Sequence, residues 1–248
     1  MLYQQPPICQ VLTEHGRARQ KKLPRCFTVC VWNWQKSKQK AWKQEFLALA
    51  KATDLFLAQE VRRSPIVQQL MEQTPYRWSG AVSFFSLTEK TPIGVATGSI
   101  AAPQKLLFAR GAREPFFKMP KMTLAAFIPL EGSVHPLLAV NIHAINFTGL
   151  KPFAQNLQRA LQLLQNYPGP VLLGGDFNAW SAKRRQLLQE VVKTAGLTEV
   201  SFEPDVRTRC LGLPVDYLFV RGLTVRTAGV RETLGSDHNP LFARLEVC

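Results

Sequence analysis

Acidic side chains are scarce in this chain. Across 248 residues there are 17 Asp plus Glu against 31 Lys plus Arg, a formal net charge of +14. That balance argues against a cation-collecting surface and favours polyanionic partners: nucleic acid, an anionic membrane face or phosphorylated small molecules. Cysteine is also scarce. Five residues (Cys9, Cys26, Cys30, Cys210, Cys248) are too few, and odd in number, for a disulfide scaffold, and none has zinc-ligand spacing with His. Reduced thiols and a cytoplasmic location are therefore expected. Long apolar runs are lacking too. The most notable stretch free of Lys, Arg, Asp and Glu, Gly132 to Leu150, carries Pro136, two His and two Asn, which excludes a continuous membrane helix. Residues 1–20 lack the apolar run of a signal peptide.

What is present suffices for one large core. Hydrophobic residues make up 46% and aromatics 10% of the chain. Residues 1–24 are polar and basic and read as a flexible basic arm, with 25–248 as one domain. Nine Lys or Arg and no acid lie between His15 and Gln44. Such a run is either a solvated tail and helix face or a phosphate-tracking arm. Short apolar β-prone runs (Phe27–Trp32, Asp54–Ala58, Ala81–Leu87, Gly94–Ile100, Thr123–Pro129, Leu137–Ile142, Val171–Leu173, Asp216–Val220 and Phe242–Val247) mix with helical stretches at Gln39–Ala52, Ala154–Tyr167 and Ser181–Thr194. Ser181 is placed to cap the last of these, and Gly196 to stop it. The mixture predicts an α/β domain with mixed sheets. Pro and Gly mark loops, Ser64-Pro65 among them. The stretch Ala101–Lys121, with Lys105, Arg110, Arg113, Lys118 and Lys121, reads as a long loop or hairpin beside a binding surface.

Aspartate is scarce as well, with five in the chain, and three of them sit at strand-like edges. Asp176 follows Val171-Leu172-Leu173-Gly174-Gly175. Asp216 opens Asp216–Val220. Asp237 precedes the final strand. A carboxylate at a strand end is costly to desolvate unless paired or metal-bound, although Asp is also common in turns. Glu60 and His143 end two further apolar runs. Converging on one rim, such oxygen donors suit Mg²⁺ or Mn²⁺, while imidazole can move protons or contact phosphate. This is a composition fit for metal-assisted attack of water on phosphorus.

These residues also form an ordered set of motifs: Val31-Trp32-Asn33, Gln59-Glu60, Asn141-Ile142-His143, Gly175-Asp176-Phe177-Asn178, Val215-Asp216-Tyr217 and Ser236-Asp237-His238. With them the chain, from Cys26 to Cys248, resembles the endonuclease/exonuclease/phosphatase superfamily, the DNase I-like fold. It looks most like a bacterial branch carrying Asn-Ile-His-Ala-x-Asn-Phe and Gly-Asp-Phe-Asn-Ala-Trp, a narrower likeness that supplies no substrate. The resemblance implies a four-layer sandwich of two packed mixed sheets with helices outside. It implies one or two Mg²⁺ or Mn²⁺ ions at Glu60, with Asn33 and Asp237 completing the metal side. Asp176 would orient or deprotonate the attacking water, and Asn178 would hold that water or a phosphate oxygen. His238 would bind the scissile phosphate and Asp216 would hold His238. His143 would contact phosphate or protonate the leaving oxygen. Whether His238 or Asp176 is the base stays open at this point.

The chain departs from abasic-site endonucleases. Asn33 is followed by Trp34-Gln35-Lys36 instead of a further polar ligand and a glycine, and His143 stands where they usually carry Tyr. Five Trp could stack bases: Trp32, Trp34, Trp42, Trp78 and Trp180. Trp42 suits a core helix face better, and Trp180, after the Asp176 loop, is a candidate for the cleft. Trp180, Arg110 and Arg113 are the candidate substrate contacts, and His15 and His135 read as surface residues. A monomeric nuclease with nucleic acid as favoured partner and no membrane insertion is expected. A hydrolase of small or lipid phosphates (inositol phosphate, phospholipid head group) and a non-catalytic nucleic-acid-binding module are the alternatives.

Overall fold

A computed structural model describes residues 3–114 and 119–248. Lys118 of the basic stretch above lies outside the described residues. In chain order the strands and α-helices are β1 Tyr3–Gln4, β2 Leu12–Gly16, β3 Cys26–Asn33, α1 Trp42–Ala52, β4 Leu55–Arg62, α2 Pro65–Glu72, β5 Arg77–Ser86, β6 Thr91–Ser99, β7 Lys105–Arg113, β8 Pro120–Ile128, β9 Leu137–His143, α3 Leu150–Gln162, β10 Val171–Asp176, α4 Ala182–Thr194, β11 Thr198–Glu199, β12 Arg209–Cys210, β13 Leu213–Pro214, β14 Asp216–Arg221, β15 Leu223–Val230 and β16 Leu241–Val247.

Two mixed sheets result. The first has eight strands, in the order β1-β5-β6-β4-β3-β16-β15 with β2 also on β5. The second has six, in the order β11-β14-β10-β9-β8-β7. Strand alternation decides which side chains go where. On β9, β10 and β14, Leu137, Ala139, Leu172, Leu218 and Val220 join the core between the sheets. Their alternates Leu138, Val140, Ile142, Leu173, Tyr217 and Phe219 pack with Phe153, Leu157, Leu188 and Val192 of α3 and α4. Helix α1 covers the first sheet through Trp42 and Phe46, which meet Trp34, Phe56 and Trp78. This is the expected four-layer sandwich.

The strands of the motif residues are near-continuous apolar runs, which is why they read clearly in the sequence: they are covered on both faces. Other elements did not read so. The segment expected as a flexible arm instead builds sheet edge. β2 pairs with β5 from Leu12↔Ala81 to Gly16↔Arg77, β1 adds Tyr3↔Ser86, and Leu23 bridges to Leu130. Its polar side chains face solvent while its backbone satisfies an otherwise open edge. Half-buried His15 lies on β2 against Arg63 instead of free on the surface. Ser64-Pro65, read as loop punctuation, starts a helix: Ser64 Oγ accepts from Val67 N–H at 3.3 Å, and Pro65 takes the first turn, where no N–H is needed. Ser181 caps α4 the same way, as expected. The basic stretch after Ala101 resolves into β7, hydrogen-bonded to β8.

The loop before β14 is fixed around Arg207. Arg207 donates to both oxygens of Asp205 (2.9 Å each), to Glu199 and to the Asp216 carbonyl, while its guanidinium lies over the Phe202 and Tyr217 rings. Hydrogen bonding from Arg207 holds the Asp205 carboxyl below the usual range. Asp205→Asn should therefore lower stability by about 1–2 kcal/mol at neutral pH. A carboxyl whose folded pKa is depressed contributes fully above its unfolded pKa of about 3.9, and that contribution fades as pH falls through the folded value. Urea midpoints of the two proteins should converge as pH is lowered from about 7 to about 3.

Candidate active site

The site lies where β3, β4, β9 and β10 end, joined by the start of β14 and the loop before β16. In the second sheet Asp176 is paired in register with His143 on one side and Asp216 on the other. The sheet alone thus lines up three of the expected residues. His143 Nε2 lies 3.4 Å from Asp176 Oδ2, and Asn33 Nδ2 donates to the same oxygen at 3.1 Å. Asp176 Oδ1 accepts the Asn178 N–H at 3.0 Å. The Asn178 side chain turns away and donates to the Ala144 carbonyl, so it holds the loop after His143. His238 Nδ1 bonds Asp216 Oδ2 at 2.8 Å. The other Asp216 oxygen is buried without a hydrogen-bond partner among the described residues.

Three contacts hold His238 in place. Trp32 Nε1 donates to its carbonyl at 2.8 Å, its own N–H bonds Ser236 Oγ, and that hydroxyl donates to the Asn33 carbonyl at 2.6 Å. Glu60 follows a break in the β4–β6 register between Ala58 and Val61, and its φ is +51°. A non-glycine residue in the left-handed region at a bulge is strained, and the bulge re-aims its side chain toward the rim. Gln59 and Asn141 of the motifs lie deeper. Gln59 Nε2 donates to Asn141 Oδ1 at 2.7 Å, and Asn141 Nδ2 donates to the Ala58 and Ala96 carbonyls, a polar bridge between the two sheets.

The charges are tightly interdependent. Burial pushes the Asp176 carboxyl up to about 7; Asp216 adds to this, while His238 and Lys121 oppose it. Burial alone would depress His238, but Asp216, Asp176 and Asp237 outweigh it and raise the imidazole to about 10. Burial, then the nearby Lys121, His238 and Lys36 charges, push His143 well below its usual value. Lys121 can only donate, so its 2.9 Å contact makes His143 Nε2 an acceptor.

Not every candidate residue lines the site. Arg110 and Arg113 do not line the site: Arg110 Nη2 donates to the Pro6 carbonyl at 2.7 Å and Arg113 to Gln5. Trp32, Trp34, Trp42 and Trp78 are buried core and offer no exposed stacking face. Trp180 is half-buried, with Nε1 on Asn146 Oδ1 and its ring against Arg184. Asp237 is more than half exposed and accepts from Gln35 Nε2 at 2.8 Å.

The sequence reading missed Lys36 and Lys121, whose ammonium groups stand 4.0 and 3.9 Å from the Glu60 carboxylate. Lys36 lies in the Gln35–Ser37 turn, where all three residues have φ between 47° and 60°. Lys121 was legible only as one charge in a basic stretch. Arg184 was missed as well. Buried on α4, it donates to the carbonyls of Ile145, Thr148 and Asn178, pinning the loops after His143 and Asp176 together.

Among the described residues no three His, Cys, Asp or Glu are grouped to hold a metal ion. The donor set nevertheless fits Mg²⁺ or Mn²⁺. Glu60 is partly exposed, and its oxygens meet Lys36, Lys121 and His143 only at 3.8 Å or more, which leaves lone pairs open. Mg²⁺ commonly binds one or two carboxylates and completes its shell with waters and substrate phosphate. Asn33 and Asp237 are the further oxygen donors nearby, each already accepting one hydrogen bond from Gln35.

Comparison with known proteins agrees with the geometry. The model of the endonuclease/exonuclease/phosphatase family matches residues 30–238. A UPF0294 protein of Yersinia pseudotuberculosis is 35% identical over 249 residues, covering 97% of this chain and 94% of that one. An endonuclease/exonuclease/phosphatase crystal structure from Beutenbergia cavernae superposes with a TM-score of 0.72 at 15% identity, over 90% of this chain and 72% of that one. The human nocturnin catalytic domain with bound sulfate gives 0.65 at 18%, over 92% and 96%. At such identities the structures speak to fold alone, but the family match spans most of the chain and takes in every motif from Val31 to His238. The chain with the Asp216–His238 pair and the Asp176 rim is a member of the endonuclease/exonuclease/phosphatase family, a family of phosphoester hydrolases.

Proposed function

We propose that the protein is a divalent-metal-dependent hydrolase that cuts phosphodiester bonds of nucleic acid. The observation that carries this is the meeting of the Asp216–His238 pair, the buried Asp176 and the open Glu60 carboxylate on one rim, with Lys36 and Lys121 beside it. Glu60, with Asn33 and Asp237, would hold Mg²⁺ or Mn²⁺, which supplies charge neutralisation at the phosphate oxygens. Asp176 accepts the proton of the attacking water as the new P–O bond forms. His238, with Nδ1 fixed on Asp216, presents Nε2 to a phosphate oxygen. The P–O bond to the leaving sugar oxygen breaks, and that oxygen takes a proton from the Lys121 ammonium, which solvent restores as Asp176 gives up the proton it took from water. His143 acts there as acceptor to Lys121 and neighbour of Asp176, not as the proton donor. The net charge of +14 and the basic run Lys36, Lys38, Lys40 and Lys43, which starts from Lys36 at the rim, favour a substrate with further phosphates.

The test is turnover on labelled single- and double-stranded DNA and RNA with Mg²⁺ or Mn²⁺. EDTA and Glu60→Ala should each reduce cleavage by about 10²-fold or more. Cleavage indifferent to both would sink the metal-dependent reading. Hydrolysis confined to inositol phosphates or phospholipid head groups would replace nucleic acid as the substrate.

A further inference from the structure

The catalytic rim opens onto a cavity of ≈ 230 Å³. Glu60, Lys121 and His143 line it. So do side chains of another chemistry: Tyr3, Phe84, Ile93, Val95, Met122 and Phe147. Tyr3 and Phe84 meet edge to face with ring centroids 5.0 Å apart. Phe147 is 70% exposed, with a φ of +48°. A large aromatic ring held in the left-handed region and turned toward water gains nothing for the core, so its position points to a ligand. The N-terminal wall is anchored, because Arg110 and Arg113 grip Pro6 and Gln5 just beyond β1.

We infer that this cavity receives one unstacked nucleobase of a single-stranded nucleic acid, from a nucleotide next to the bond that is cut. The inference rests on the nuclease reading above. Lys36 and Lys121 line the same cavity as the apolar side chains, so a base held there can be joined to a phosphate at those two ammonium groups. Three aromatic rings suit a flat π-face. Asn146 lines the same cavity; its oxygen is occupied by Trp180 Nε1 and the Phe147 N–H, which turns its NH₂ to a base edge. The basic run past Lys36 fits the phosphates of a continuing strand better than the headgroup of a lipid. A paired base is stacked within its duplex and cannot enter such a cavity without leaving it.

The test uses the whole protein with Mg²⁺ and a single-stranded DNA oligonucleotide series in which each nucleotide in turn is replaced by a tetrahydrofuran abasic residue. One position beside the cut should lose roughly tenfold in kcat/KM, and the same sequence as a duplex should be cut at least roughly tenfold more slowly. In Phe147→Ala, which removes a solvent-facing ring, the penalty for losing that base should shrink to about threefold or less. If no single position changes kcat/KM by more than about twofold while the oligonucleotide is still cut, the base site is wrong and the nuclease reading stands. If no oligonucleotide is cut but short-chain phosphatidylinositol phosphates are hydrolysed, both are wrong.

Discussion

His238→Ala is expected to lower phosphoester hydrolysis by about 10³-fold or more, and Asp216→Asn by about 10²-fold or more, with both proteins folded. The expectation rests on how the imidazole is held. Its Nδ1 meets Asp216 Oδ2 at 2.8 Å, and its backbone is fixed by Trp32 Nε1 and Ser236 Oγ. Alanine removes the group proposed to face the phosphate. Asparagine keeps the shape at position 216 but removes the negative charge that, with Asp176 and Asp237, keeps His238 cationic. Asp216→Asn should therefore act mainly on kcat and leave KM within a few-fold. Near-ultraviolet circular dichroism would establish that the core persists, since Tyr217 stacks on Phe219 directly beside the altered residue. Full activity in both variants would remove His238 from the reaction.

Gly175→Ala should cost more stability than any other single exchange in the motif strands, roughly 4 kcal/mol or more, and the protein is expected not to accumulate in folded form. Gly175 has a φ of +147°, and a Cβ there would lie 1.9 Å from the Ile142 carbonyl oxygen. Neither side can yield. Gly175 and Ile142 are register partners in the parallel β9–β10 pair, and Ala144 N–H is bonded to the Asp176 carbonyl at 2.8 Å just beyond them. The same close approach brings Asp176 within 3.4 Å of His143. Gly229→Ala is the matched control, since a Cβ there meets nothing within 4 Å and φ is not positive. It should shift the urea midpoint only slightly. Equal midpoints for the two variants would show that β9 and β10 approach less closely than described.

Much of the site was legible in the sequence because the chemistry sits where buried strands end. Asp176, Asp216, His143 and Glu60 each flank a largely apolar run, and such runs are readable when a strand is covered on both faces. The helix caps were local too: Ser181 and Gly196 act within a few residues of themselves. The scarcity of Asp made its placement informative, and the charge balance pointed to polyanions.

Other features belong to the tertiary structure alone. β1 and β2 are polar segments that become strands only because β5 offers an edge, a fact no local pattern carries. Arg110 and Arg113 looked like substrate contacts, yet they grip residues more than 100 positions away in sequence. Lys36, in the turn after β3 of the first sheet, and Lys121, on β8 of the second, both reach Glu60 only because those sheets pack face to face. The cavity has the same origin, with Tyr3, Phe84, Met122 and Phe147 drawn from four distant segments. Sequence pattern encodes what a residue does to its own strand or helix turn. Which side chains share a space across two sheets is set by register and packing, and those are properties of the whole chain.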